Sequence, residues 1–225
     1  MASSYGNHDA SVCALDFASH SLAFAGEEER ASSMANSALA VARSLNDPFT
    51  LALTLYGSSV TRQILGDVAL STKHAEACRH LSAEHGFPMV RAWSTGVVGW
   101  CVAERGDSDR GIALLTDAIA ELQAIQSPTF MHYLLGLLGG VHMKAGHHAE
   151  AMKAVKEGIT FAAATGERYY SAELHRLHGE LLAQTTIGKC TEAEAAFRAA
   201  ITIAKQQGAL SLERKALESQ QRRSG

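Results

Sequence analysis

The stretch from Pro48 to Gly86, PFTLALTLYGSSVTRQILGDVALSTKHAEACRHLSAEHG, reads as two helices separated by one break and closed by another. Pro48 suits a first helical turn, where its fixed φ is helical and its missing N–H has no partner to lose. A helix over Phe49 to Leu65 follows, and Gly66 ends it, because glycine supplies the left-handed residue that turns the chain back. Asp67 can then cap the next helix by accepting a backbone N–H. That helix runs from about Asp67 to Glu84, Gly86 ends it, and Phe87-Pro88 opens the next unit. The same punctuation recurs along the chain. Gly26, Gly66, Gly106 and Gly146 stand 40 residues apart, and Pro48, Pro88 and Pro128 follow the first three at an offset of 22. A fixed period of this size with helix-sized gaps is the signature of a helical repeat array. Such arrays make extended curved surfaces that bind rather than catalyse.

Small residues keep the same register. Ser19, Ser59, Gly99 and Gly139 lie seven positions before the ruler glycines. Ala31, Ser71, Gly111 and Ala151 lie five after them, and Ala38, Cys78, Ala118 and Gly158 lie twelve after. Small side chains at these places let the two helices of a pair approach closely. The pattern resembles a tetratricopeptide repeat, lengthened from the usual period by a turn or so. A fifth unit agrees after a small shift. Gly179 takes the small position of its first helix, and Ala193, Phe197 and Ala200 take the small-aromatic-small trio of its second, across a looser loop at Gln184 to Lys189.

The fold expected is all-α: a right-handed α-solenoid of about five helix hairpins. The boundaries fall near residues 9–46, 47–86, 87–126, 127–167 and 168–208. A leader covers residues 1–8, and a partial capping helix with a frayed tail covers 209–225. The polar end SQQRRSG is expected to fray, and LERKALES to start the cap. No strand pattern of period two competes.

The stretches YGNHDASVCAL, EHGFPMVRAW, GERYYSAELHRLHGELL and EAEAAFRAAITIAKQQGALSLE are similar to the carboxy-terminal repeat region of large bacterial signalling proteins. Those proteins join an adenylate/guanylate cyclase, winged-helix or LuxR-type domain to a signal-transduction ATPase. The resemblance runs over about residues 5 to 215. It implies a sensor or scaffold surface, and it does not carry the ATPase over: TTIGKC at Thr185 to Cys190 lacks the upstream glycine and the Ser/Thr of a phosphate-binding GxxxxGK[ST] loop.

Composition narrows the class. Apolar residues make up 47% and charged residues 19%, a soluble balance. The net charge of −3 gives no basic field, so nucleic acid is not an expected partner. No run approaches the roughly 18 apolar residues of a membrane helix, and Met1 to Asp9 has neither a cationic start nor an apolar segment. The expected location is cytoplasmic. Cys13, Cys78, Cys101 and Cys190 form no CxxC pair and read as reduced packing thiols.

In a tetratricopeptide repeat the first helix of each pair lines the concave face. Mapped by the small positions, its exposed offsets give Asp16 and His20, Tyr56 and Gln63, Trp93, Trp100 and Glu104, Tyr133 and Lys144, then Glu173, Arg176 and Glu180. Trp93 and Trp100 lie seven apart on one helix face. They suggest an aromatic groove centred on unit three and flanked by Tyr56 and Tyr133. The opposing reading has both tryptophans packed between units as core. The groove residues expected to bind are Tyr56, Gln63, Trp93, Trp100, Glu104, Tyr133, Lys144, Glu173 and Arg176. His175 and His178, the group His142, His147 and His148, and the pair His74 and Cys78 match no zinc spacing. Neither a metal nor a cofactor is expected, and the carboxylates Glu27, Glu28 and Glu29 read as a solvated helix start. The expected function is a non-catalytic module binding a protein or peptide. The alternative is the sensor tail of a split cyclase/ATPase regulator, binding a small effector or a catalytic partner. An uncapped end could also support a homodimer.

Overall fold

The computed structural model describes residues 9–185 and 190–224. The leader at 1–8 and residues 186–189 of the Gln184 to Lys189 loop, the middle four of TTIGKC, lie outside them. The described residues form eleven helices and no strand. Five hairpins come first: α1 (Ala10–Phe24) with α2 (Glu28–Ser44), α3 (Pro48–Ile64) with α4 (Val68–His85), α5 (Pro88–Glu104) with α6 (Ser108–Ala124), α7 (Met131–Lys144) with α8 (His148–Thr165), and α9 (Ser171–Thr185) with α10 (Cys190–Gln207). A last helix, α11 (Leu210–Ser224), packs on α10 and α9. It remains helical through most of the polar stretch expected to fray.

The punctuation acts as its chemistry dictates. Gly26, Gly66, Gly106 and Gly146 all have positive φ, from 77° to 101°. Asp67 caps α4 through Leu70 N–H at 3.0 Å, and Asp47 and Asp107 do the same for α3 and α6. A second ruler, not read from the sequence, marks the hairpin-to-hairpin turns. Asn46, Gly86, Gln126 and Gly166 stand 40 apart and are all left-handed, with φ of 52°, 71°, 52° and 76°. Asn and Gln hide it, because only the glycines look like breakers.

Within each hairpin the small residues sit where the two helices touch. Ser19, Ser59, Ala31, Ser71, Ala151, Ala38, Cys78 and Ala118 are all fully buried. Ser71 Oγ donates to the Ser59 carbonyl at 2.9 Å. In unit three the same approach is made by Gly99 and Gly111, where a Cβ on Gly111 would stand 2.7 Å from the Gly99 carbonyl oxygen.

The odd-numbered helices also touch in succession, α1 to α3 to α5 to α7 to α9 to α11. The even-numbered helices have no such contacts with one another among the described residues. The odd set is therefore the inner layer and the even set the outer. The array curls far enough for α1 to meet α11. Units four and five depart from the ruler. Pro128 does not open α7, and a turn through Thr129 and Phe130 precedes it, closed by Met131 N–H on the Pro128 carbonyl at 3.0 Å. A matching turn, Ser171 N–H to Arg168 C=O at 3.0 Å, precedes α9. These turns carry Phe130, Tyr169 and Tyr170 into the interior.

Candidate functional site

The inner layer encloses a cluster of aromatic rings. Trp93 lies 5.3 Å from Tyr56 and 5.1 Å from Phe130, centroid to centroid. Tyr133 packs on Tyr170 at 5.0 Å and on Tyr169 at 5.7 Å. Tyr169 also meets Phe24 of α1 at 5.6 Å, across the closure of the array. Edge and tilted contacts at these distances suit the ring quadrupoles. Polar tips are provided for: Trp93 Nε1–H donates to the Thr129 carbonyl at 2.9 Å, and Tyr133 O–H donates to Gln63 Oε1 at 3.1 Å. Burial raises the phenol pKa of Tyr56, Tyr133, Tyr169 and Tyr170. They are packing and hydrogen-bonding groups, not acid–base ones.

Phe130 is the strained member. It is left-handed at φ 62° without being glycine or asparagine. Its N–H donates to Glu167 Oε2 at 3.2 Å, and the same oxygen stands 3.0 Å from Nδ1 of buried His132. Burial pushes His132 down in pKa, although Glu167 pulls it back up.

This cluster corrects the reading of three expected groove residues. Tyr56, Trp93 and Tyr133 are only 6%, 4% and 0% exposed. They are interior packing, because the tight curl brings facing rings into contact instead of leaving an open aromatic wall. The other six border one cleft of about 500 Å³, towards the C-terminal ends of α3, α5 and α7. Gln63 and Trp100 are half-buried there. Lys144 Nζ pairs with Glu104 Oε2 at 2.8 Å, the same position in consecutive units. Glu173 and Arg176 form a two-bonded pair at 2.6 and 2.8 Å. Burial alone would raise the Glu173 carboxyl, but the guanidinium holds it below its usual range. Arg176 also reaches Glu180 at 2.7 Å and Ser219 of α11 at 3.2 Å, so the cleft wall is tied to the last helix. Lys215 adds a cation at the rim, with no ion pair among the described residues.

The opposite side of the aromatic cluster holds an apolar cavity of about 250 Å³. Its walls include Phe17 of α1, Leu53 and Tyr56 of α3, Trp93 and Phe130, and one acid, Asp16. A second cavity of about 280 Å³ shares Phe17, His20, Tyr56 and Phe130 with it and reaches Tyr169 and Ala209.

The cysteines and histidines fall in other roles. Cys78 donates to the Ala52 carbonyl at 3.1 Å, and burial pushes its thiol up to about 11. His74 is hydrogen-bonded to Ser58 at 2.9 Å, and His142 lies tilted against His147 with ring centroids 5.7 Å apart. No group of three or more metal-ligating side chains comes together among the described residues, and no helix there is long and apolar enough to cross a membrane.

No protein-family profile matches the chain. An uncharacterised protein of Rhizobium meliloti (strain 1021) is 26% identical over 216 residues, covering 96% of this chain. The chain spans about a fifth of that relative, 21% of its length. Among solved structures, PlcR of Bacillus thuringiensis, in complex with the peptide PapR7 and DNA, superposes with a TM-score of 0.73 at 13% identity. The match covers 92% of this chain and 74% of PlcR. A signal-transduction ATPase with a tetratricopeptide repeat sensor from Pyrococcus horikoshii superposes with a TM-score of 0.56 at 10% identity, over 95% of this chain and 36% of the ATPase. At these identities the likeness is one of fold. The chain is a tetratricopeptide-like helical array.

Proposed function

We propose that this chain is a non-catalytic peptide- or protein-binding repeat module, and that its ligand lies in the interior face of the array. The observation that carries the reading is the mixed cleft in which Gln63, Trp100, Glu104, Lys144, Glu173 and Arg176 converge from four successive inner helices. Pre-paired charges and a half-buried indole form a surface that needs little ordering on binding, which lowers the entropic cost of association. The presence of a peptide in the PlcR complex supports the same reading by analogy of fold.

Affinity capture with the purified chain as bait tests it, with a Gln63→Ala/Trp100→Ala variant as control. A partner retained by the wild type and lost from the variant supports the cleft. A partner retained equally by both removes this surface from consideration. Trp93 is left intact because it is core.

A second reading makes the module the sensor of a larger cyclase/ATPase-type regulator, with a catalytic domain or a small effector as partner. It is favoured by the short share of the Rhizobium relative that the chain spans and by the sensor role named for the Pyrococcus protein. Capture of a nucleotide-binding domain would support it. Capture of unrelated peptides alone would count against it.

A further inference from the structure

Asp16 is the one acid in the wall of the apolar cavity between α1, α3 and the Phe130 turn. Its Oδ1 is buried with no hydrogen-bond partner. No cation stands beside it among the described residues. The titratable neighbours on its own helix are Cys13 and His20, while α3 presents Thr50, Thr54 and Gly57, and the Phe130 turn presents no charge. His20 is not its counter-ion, since burial lowers the ring's pKa and its Nε2–H is spent on the Gly57 carbonyl at 2.8 Å. Burial pushes the Asp16 carboxyl up to about 8, with only the Thr54 hydroxyl favouring the charged form. The site is nonetheless built to hold it. A Cβ on Gly57 would come within 2.9 Å of the carboxyl carbon, so glycine at 57 is what admits the group. A carboxyl with one buried oxygen left unpartnered is destabilising, and the cavity walls around it are largely apolar.

We infer that the Asp16 cavity receives the free N-terminus of a peptide whose first residues are apolar, with the ammonium on Asp16 and the side chains against the aromatic walls. The inference rests on the peptide-binding reading and adds which end of the ligand is held, and where. An ammonium beside Asp16 would supply the counter-charge the cavity lacks and draw the carboxyl into its ionised form, and the apolar walls select a body to accompany it. Tyr56, Trp93 and Phe130 add aromatic rings, whose faces attract a cation. The two cavities share the Phe17, His20, Tyr56 and Phe130 rim, so there is space for two successive apolar side chains.

The test uses a hexapeptide library with Leu, Ile, Phe, Trp or Tyr at the first two positions, in free and N-acetylated forms. The library is selected on the full chain and on Asp16→Asn, with retention read by mass spectrometry. Free peptides should be retained about tenfold or more over their acetylated twins on the wild type, and that preference should vanish on Asp16→Asn, as a coupled pair requires. Leu53→Trp, which fills the cavity from α3, should remove it too and serves if Asp16→Asn fails to fold by circular dichroism. Free and acetylated peptides retained equally, or a preference that survives Asp16→Asn, overturns the inference while leaving the cleft reading standing. Phenethylamine competing as well as the peptides overturns the peptide assignment. If neither form of the library is retained, the inference falls, while a partner captured by the wild type and lost from Gln63→Ala/Trp100→Ala keeps the cleft reading standing.

Discussion

Gly111 and Gly140 make opposite demands on a methyl group. At Gly111 an added Cβ would lie 2.7 Å from both the Gly99 carbonyl oxygen and the Ala103 Cβ, and 3.1 Å from the Ala103 nitrogen. Two of those three atoms are backbone, so α5 and α6 must move apart. Overpacking of this kind costs about 1–3 kcal/mol. Against it stands the helix-propensity gain of Gly to Ala, about 0.8–1 kcal/mol. Gly111→Ala should therefore destabilise by about 0–2 kcal/mol. At Gly140, on α7, a Cβ meets nothing within 4 Å. Gly140→Ala should keep the propensity gain alone and stabilise by about 0.5–1 kcal/mol. Urea unfolding followed by circular dichroism measures both, with the slopes compared to confirm that the same surface is exposed. A Gly111→Ala protein as stable as Gly140→Ala would refute the claim that the Gly99–Gly111 approach sets the hairpin spacing.

Gln126→Gly should stabilise by about 1 kcal/mol in the same assay, because a left-handed glutamine is strained where glycine is not; no gain would mean that the Gln126 side chain contributes more than the strain costs. Asp16 sets a pH dependence. Its carboxyl titrates near 8 in the fold and near 3.8 as a free residue, so it is neutral in the fold and charged in the unfolded chain between those values. Its contribution is fully present below about pH 4 and is lost as the pH rises towards 8, with a slope of at most about 1.4 kcal/mol per pH unit. The stability advantage of Asp16→Asn over the wild type should grow across that window, and a flat difference would show that Asp16 is ionised in the fold. Trp93→Ala should cost about 3–5 kcal/mol as a core deletion, and half-buried Trp100→Ala less than half as much; equal losses in thermal melts would contradict the different burial of the two rings.

What could be read from the sequence depended on local chemistry. The glycines at 26, 66, 106 and 146 and the prolines at 48 and 88 act through their own φ, so their spacing alone gave the hairpins. The small-residue register worked because a close approach tolerates few side chains. The left-handed turn at Gln126 did not show, since glutamine adopts the conformation under tertiary constraint; asparagine favours it, but Asn46 alone gave no 40-residue spacing to read. Pro128 misled for a related reason: the turn after it, not the proline, starts α7. Part of the candidate face was legible. Gln63, Trp100, Glu104, Lys144, Glu173 and Arg176 were placed on one face through the resemblance to a tetratricopeptide repeat, and they border one cleft, whose role as a binding site is the proposal made above. The burial of Tyr56, Trp93 and Tyr133 depends on how far each unit rotates on the last, a quantity no single repeat contains. Tyr169 and Tyr170 stood in plain view in GERYYSAELHRLHGELL, but only the turn at Arg168 to Ser171 aims them inward.

The meeting of α1 with α11 changes how the array should come apart. In a linear repeat protein each unit leans only on its neighbours, and the outermost units fray first. Here Phe24 of the first hairpin rests on Tyr169 of the fifth, and α1 touches the last helix. The first described helix thus touches the last as well as the helices that follow it in the chain. That contact should couple the first described helix to the last, so that amide exchange at the two rises together, where a linear array would let each end fray by itself.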